Sequence, residues 1–237
     1  FIKDSYVQYN RIDPNKRFDN FITGTSNKLA YEASLKVSEN ISHYNPLYIY
    51  GGVGMGKTHL LNSIGIELKK NNKVIYLSAE RFMYQFVKSI KNKDTHKFKE
   101  IFRNADVLIL DDIQFISGKE VTQEEFFYTF NSLLENQSQV VISCDRSPNE
   151  LDRIQDRIKS RLSGGLVVDV QPPDIGLRLE ILKKRCLTEK NHFGNEILIN
   201  DEILSFISNE FKSSIRDMLG VLNRIIASAR IQNKIPT

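Results

Sequence analysis

Five short apolar runs punctuate the chain: Leu47–Tyr50, Lys73–Ser78, Val107–Leu110, Gln139–Ser143 and Leu166–Val170. Their near-continuous hydrophobicity predicts strands buried on both faces, the pattern of a parallel sheet. Amphipathic stretches lie between them, near 57–70, 80–92, 94–103 and 122–136, with a shorter one at 149–162. An earlier one, Ser26–Ile41, aligns Leu29, Ala33, Val37 and Ile41 on one helical face. Strands alternating with helices predict a doubly wound α/β sheet of five parallel strands. Pro172-Pro173 breaks the alternation. Beyond it, Ile175–Lys190, Asp201–Phe211 and Ser213–Gln232 carry apolar residues at three- and four-residue spacing and predict helices alone. Three parts follow: an extended segment over 1–24, an α/β core over 25–171 and a small all-helical lid over 172–237.

The first of these strands runs directly into Gly51-Gly52-Val53-Gly54-Met55-Gly56-Lys57-Thr58, followed by His59-Leu60-Leu61. This is G-x-x-x-x-G-K-[ST] between a buried strand and a helix, where a phosphate-binding loop belongs. Glycines let the backbone curl until its N–H groups point at a β-phosphate near the positive end of the next helix. Lys57 is expected to reach the β- and γ-phosphates, and the Thr58 hydroxyl to hold Mg²⁺. The ligand this pattern predicts is a nucleoside triphosphate.

Val107-Leu108-Ile109-Leu110-Asp111-Asp112 supplies the other half of such a site. Asp111 is expected to hold Mg²⁺ through water or Thr58, and Asp112 to orient or deprotonate the attacking water. A strand ending in an Asp-rich turn is the plain alternative, and the complete phosphate loop upstream weighs against it. Many ATPases of this architecture place Glu second, so the shorter Asp112 predicts slow hydrolysis, suited to a timer. Val140-Val141-Ile142-Ser143-Cys144-Asp145-Arg146 is another strand with polar residues at its end, where a γ-phosphate sensor would sit. Arg161 closes the helical stretch Asp156–Arg161 just before Gly164-Gly165, where an arginine can project outward and complete a neighbouring subunit's site. Lys159, on the same stretch, reads as part of a solvated face. Arg216, at the start of the last helix, is placed to reach the γ-phosphate from the lid.

Composition narrows the classes further. The 237 residues are 41% hydrophobic and 26% charged, enough for a normal core. No apolar stretch approaches the roughly 20 residues that span a bilayer. Cys144 and Cys186 are far apart and outside any C-x-x-C pair, which points to a reducing, cytoplasmic setting. The net charge of +4 permits a nucleic-acid partner without requiring one. His43, His59, His96 and His192 are scattered and read as surface or capping residues rather than a metal cage. The chain opens on Phe1 without a signal-peptide pattern and reads as an excised fragment.

Taken together, these residues resemble the AAA+ ATPase domain of the bacterial DnaA replication-initiator family. The resemblance runs through Phe18-Asp19-Asn20-Phe21-Ile22 with Gly24 and Ser26-Asn27, similar to the family's adenine-side segment. It continues through Asn45 to Leu61, Asp111-Asp112-Ile113-Gln114-Phe115, Gln123–Phe127, Asp145-Arg146, Asp156–Arg161 and Pro172-Pro173. It implies a switch that takes ATP or ADP with Mg²⁺, assembles with itself into a filament, binds and melts origin DNA, and meets the replicative helicase or its loader. Acidic membrane lipids are a further implied partner. Residue by residue, the loop Gly51–Thr58 with His59 and Ile22 would hold the nucleotide, and Thr58 and Asp111 the metal. Asp145 would be the first sensor, Arg161 the finger on the adjacent protomer and Arg216 the lid sensor. Single-stranded DNA would lie on Glu80–Lys91, with Val87, Lys88 and Lys91, and on the segment after Gln114, near Lys119.

The chain departs from the family pattern at Leu162-Ser163-Gly164-Gly165, where an aromatic and Gly are usual, and at Ile215–Gly220, which lacks a second acid. Val121 stands where some members carry a base, and the sequence given stops at Thr237, before the position where the resemblance implies a helix-turn-helix domain. A regulatory paralogue or helicase loader acting through protein contacts is the alternative function, decided by whether a helix-turn-helix follows. A metabolic P-loop kinase is the third, and would require an acceptor pocket. For Glu80–Lys91 the plain reading is a core stripe, because Phe82, Phe86, Val87 and Ile90 share helical spacing. The neighbouring Lys88, Lys91, Lys93, Lys97, Lys99 and Arg103, mixed with aromatics, favour a single strand.

Overall fold

The structure, a computed structural model, describes residues 12–193 and 199–232, apart from the side chains of 190–193. Residues 1–11 of the expected extended segment and the side chain of His192 lie outside the described residues. Five strands form one sheet: β1 Leu47–Gly51, β2 Val74–Ser78, β3 Val107–Asp111, β4 Gln139–Cys144 and β5 Leu166–Val170. Their order is β2-β3-β4-β1-β5, with β1 parallel to β4 and β3 parallel to both β2 and β4. Every residue of β3 and β4 is buried, which is why their sequences are apolar without alternation. Register sets Ser78 beside Asp111 and Tyr50 beside Cys144, lining up the polar strand ends at one edge.

Nine helices follow among the described residues: α1 Lys28–Glu39, α2 Lys57–Leu68, α3 Ala79–Lys91, α4 Thr95–Arg103, α5 Glu120–Glu135, α6 Asp156–Ser163, α7 Ile175–Phe193, α8 Asp201–Glu210 and α9 Ile215–Gln232. The helix expected over 149–162 divides in two. Ser147 and Glu150 cap a short 3₁₀ turn at Pro148–Glu150, and α6 begins only at Asp156. Between them the Arg153 carbonyl accepts from the Gly118 N–H at 2.9 Å and from Gln123 Nε2 at 2.8 Å, anchoring a turn where a helix would continue.

The chain separates into two compact units. One holds the residues up to Phe21, Leu29–Gly51 and Lys57–Asp169; the other holds Ile22–Lys28, Gly52–Gly56 and the residues from Val170 onward. In the first, Phe82 of α3 meets Phe98 and Phe102 of α4 and Phe126 of α5 edge-on, with ring centroids 5.4, 5.3 and 6.2 Å apart. Each fully buried ring of this kind stabilises the fold by about 1.5–3 kcal/mol. Glu125 of α5, nearly buried, takes Arg103 of α4 at 2.8 Å and Lys99 at 3.6 Å. The second unit packs Leu182, Leu204, Ile207, Met218, Leu222 and Ile226 into its own small core. Its buried Arg178 donates from Nε to the Ser208 carbonyl at 2.7 Å.

The stripe read on α3 turns out to be split. Phe82 and Phe86 are buried, whereas Val87 and Ile90 are 41% and 46% exposed. Positions 87 and 90 sit at the rim of the apolar arc, and α4 covers only its centre.

Candidate nucleotide site

In the first unit, β1 delivers the chain to Gly51, and α2 resumes at Lys57. Lys57 is buried, and its ammonium donates to the Gly51 carbonyl at 2.7 Å. The Thr58 hydroxyl donates to Asp111 Oδ2 at 2.9 Å. Asp111 itself is 7% exposed and receives two further hydroxyls: Tyr76 at 3.2 Å on Oδ2, and Ser143 of β4 on Oδ1. Asp112, the next residue, stands in the left-handed region at φ 60° and ψ 58°, a conformation that costs a non-glycine residue energy. Its N–H donates to Ser143 Oγ at 2.8 Å, and Gln114 Nε2 donates to its Oδ1 at 3.1 Å. Ser143 therefore clamps both acids from the neighbouring strand.

The electrostatics follow from burial. Desolvation, together with the Asp111 charge, raises the Asp112 carboxyl above its ordinary value. Burial also lowers the Lys57 ammonium, while Asp112 and Asp111 pull it back upward. The outcome is a buried cation facing two acids, the second of which takes up a proton more readily than a surface aspartate.

In the second unit, Gly54 has φ +78°, and a Cβ built there would stand 2.7 Å from Ser214 Oγ and 3.2 Å from Arg216 Cβ. Only glycine fits this approach. Ser214 caps α9, accepting the Asp217 N–H at 3.2 Å, so the positive end of α9 and the base of Arg216 lie against the loop. Ile22 is half-buried. Its carbonyl accepts from Asn27 Nδ2 at 3.0 Å, and Asn27 Oδ1 takes the Gly24 N–H at 2.8 Å.

A family model described as "Bacterial DnaA ATPAse domain" matches residues 12–169. The chain belongs to the bacterial DnaA ATPase-domain family. The chromosomal replication initiator protein DnaA of Rickettsia canadensis is 50% identical over 232 residues, covering 95% of this chain and 49% of that protein. The chain thus spans about half the length of the curated relatives it matches. Among solved structures, domain III of the Thermotoga maritima replication initiation protein DnaA superposes with a TM-score of 0.89 at 36% identity, covering 95% of this chain and 93% of that one. A replication initiator DnaA bound to AMPPCP and single-stranded DNA gives a TM-score of 0.83 at 36% identity, over 94% and 70% of the two chains. The expected five-stranded α/β fold with a helical C-terminal part is the DnaA fold.

The remaining DnaA-like positions are distributed more widely. The Asp145 carboxylate is held by its neighbour Arg146, from Nε at 2.9 Å and from Nη2 at 3.0 Å, which lowers its proton affinity. The β4 group that touches Asp111 and Asp112 is Ser143. Arg161 is exposed near the end of α6. His59 lies against an edge-on Phe21 ring at 5.1 Å and the Arg17 carbonyl at 2.9 Å from Nε2. Lys88 and Lys91 are exposed beside Val87 on the last turn of α3, and Lys119 is exposed at the start of α5. Phe115, between the acids and Lys119, is 47% exposed.

For magnesium the donor set fits. Thr58 Oγ1 and Asp111 Oδ2 are hard oxygen atoms 2.9 Å apart. Among the described residues no cluster of three or more His, Cys, Asp or Glu side chains forms a dedicated metal cage. One carboxylate and one hydroxyl are what Mg²⁺ uses when phosphates supply the rest of its shell. Sequence reading missed Tyr76 and Asn62 behind this pair and the clamping role of Ser143. Only β-strand register brings Tyr76 and Ser143 alongside residues 111 and 112.

Proposed function

We propose that this chain is the ATP-switched module of a replication initiator. Gly51–Thr58 cradle the triphosphate of ATP, with His59 at the start of the helix and Ile22 on the adenine side. Thr58 and Asp111 hold Mg²⁺, which when bound neutralises charge on the β- and γ-phosphates. Lys57 leaves the Gly51 carbonyl for the phosphates. Asp112, whose burial favours protonation, orients the attacking water and accepts its proton. The short reach of an Asp in that place keeps hydrolysis slow. Asp145 and Arg216 sense the γ-phosphate. Arg161, exposed on α6, completes the site of the next copy, so ATP promotes self-assembly in the cytoplasm. Val87, Lys88, Lys91 and Lys119 contact single-stranded DNA of the origin. The replicative helicase or its loader and acidic membrane lipids are further partners; no helix among the described residues is long and apolar enough to cross a membrane.

The observation that carries this reading is the buried Asp111, bonded to the Thr58 hydroxyl at the end of a complete phosphate loop. The likeness to a DnaA bound to AMPPCP and single-stranded DNA supports the same ligands here. Sedimentation with ATP, with ADP and without nucleotide tests it. Larger assemblies are expected with ATP alone and are expected to vanish in Arg161→Ala, with nucleotide affinity retained. Equal sedimentation in all three states refutes the switch.

A further inference from the structure

Behind the Thr58–Asp111 pair lies a chain of hydrogen bonds that the nucleotide reading does not use. It begins on the backbone, where the Asp13 N–H donates to Asn62 Oδ1 at 2.7 Å. A backbone N–H can only donate, so this contact fixes which way the Asn62 amide faces. Both Asn62 Nδ2 hydrogens are then committed, one to the Thr58 carbonyl at 2.7 Å and one to the Tyr76 hydroxyl oxygen at 3.0 Å. With its oxygen accepting from Asn62, the Tyr76 hydroxyl has its own proton left to give, and Asp111 Oδ2 receives it at 3.2 Å. Asn62 is 2% and Tyr76 3% exposed, so water does not compete at either.

We propose that Tyr76, aimed by Asn62, is a positioning residue for magnesium: it locks the Asp111 carboxylate in the rotamer that faces Thr58. The carboxylate oxygen that accepts from Tyr76 is the same one that accepts from Thr58. Losing the phenol leaves that oxygen with Thr58 alone and the carboxylate's other oxygen with Ser143, which loosens its aim towards the metal side. The inference rests on the nucleotide function proposed for this site. It also ties magnesium binding to the N-terminal segment. His59, Asn62 and Ser63, one face of α2, all hold the backbone of residues 13–17, with His59 on the Arg17 carbonyl at 2.9 Å and Ser63 on the Lys16 carbonyl at 3.3 Å. That segment therefore sets where the aiming amide stands.

The test is calorimetric titration of ATP into the chain, in EDTA and in saturating Mg²⁺, for the parent, Tyr76→Phe and Tyr128→Phe. Groups that orient a metal ligand are worth about tenfold in metal affinity. Tyr76→Phe is therefore expected to bind ATP in EDTA within about twofold of the parent, and to lose roughly tenfold of the gain that Mg²⁺ confers on the parent. Tyr128, exposed on α5, should leave both numbers unchanged. A Tyr76→Phe protein that keeps the full gain, or that loses affinity equally in EDTA, overturns the proposal. Should Tyr76→Phe not fold, Asn62→Leu removes the aiming donor, and a full Mg²⁺ gain there overturns it too. If the parent itself gains nothing from Mg²⁺, the magnesium reading of the site falls and this inference falls with it.

Discussion

Replacing Ser143 with alanine removes one hydroxyl that serves two acids at once. Ser143 is wholly buried on β4, accepts the Asp112 N–H at 2.8 Å and donates to Asp111 Oδ1. A hydrogen bond to a charged group contributes about 1.5–3 kcal/mol, and a donor left unpaired costs about 1–3 kcal/mol. The two overlap, because Asp111 keeps Thr58 and Tyr76, so the expected loss is about 2–4 kcal/mol. For a chain of this length each kcal/mol moves the melting temperature by about 2–4 °C, giving a fall on the order of 10 °C. Thermal unfolding by circular dichroism, without nucleotide, measures it. Ser117→Ala is the control: that hydroxyl also donates, to the Asp152 carbonyl at 2.9 Å, but near the surface, and should cost no more than about 0.5 kcal/mol. A Ser143→Ala protein as stable as that control would show that the left-handed turn at Asp112 holds without the clamp, and that Ser143 is not what joins the two acids.

Three further outcomes are expected. Asp112→Asn should abolish hydrolysis yet stabilise the fold at neutral pH. The folded carboxyl has a raised proton affinity, so ionising it costs the native state above the ordinary value of 3.8, and that cost is absent below it. Urea denaturation at pH 7 and pH 3 checks the sign, and a less stable variant at pH 7 refutes it. Gly54→Ala forces a side chain into positive φ against Ser214, a strain of about 1–2 kcal/mol, and should weaken ATP binding roughly tenfold by titration. Unchanged affinity would mean the loop is free to move. Lys88→Glu with Lys91→Glu should weaken oligonucleotide binding and flatten its salt dependence by about 0.7 in the log–log slope for each phosphate no longer neutralised. An unaltered slope by fluorescence anisotropy takes α3 out of the DNA surface.

What can be read from the chain alone is local. The phosphate loop, Asp111-Asp112 and all five strands are contiguous in sequence, and each carries its signal within a few residues. Tyr76 and Ser143 are invisible there because their chemistry depends on strand register, which sets residues more than 30 apart beside one another. Ser143 looks like the end of a strand and Tyr76 like a core aromatic, and each is that as well. The plain stripe misplaces Val87 and Ile90 because periodicity tells which face of a helix is apolar but not how wide the neighbour covering it is. The break before α6 is hidden because Leu151 and Ile154 keep helical spacing, while the turn at Arg153 is held by Gly118 and Gln123 from elsewhere in the chain. Segments 22–28 and 52–56 grouping with the C-terminal helices is likewise a fact of three dimensions.

The interlocked phenylalanines beneath α3 make its outer surface a stiff mount. Phe82, Phe98, Phe102 and Phe126 pack ring against ring under the helix, and the Arg103–Glu125 bond pins its neighbour from the side. Any molecule that settles on Val87, Lys88 and Lys91 would meet a backbone already frozen, and would forfeit little disorder beyond the waving of the lysine stems. Its capture should then carry the small heat-capacity signature of rigid docking, in contrast to a segment that must fold in order to bind.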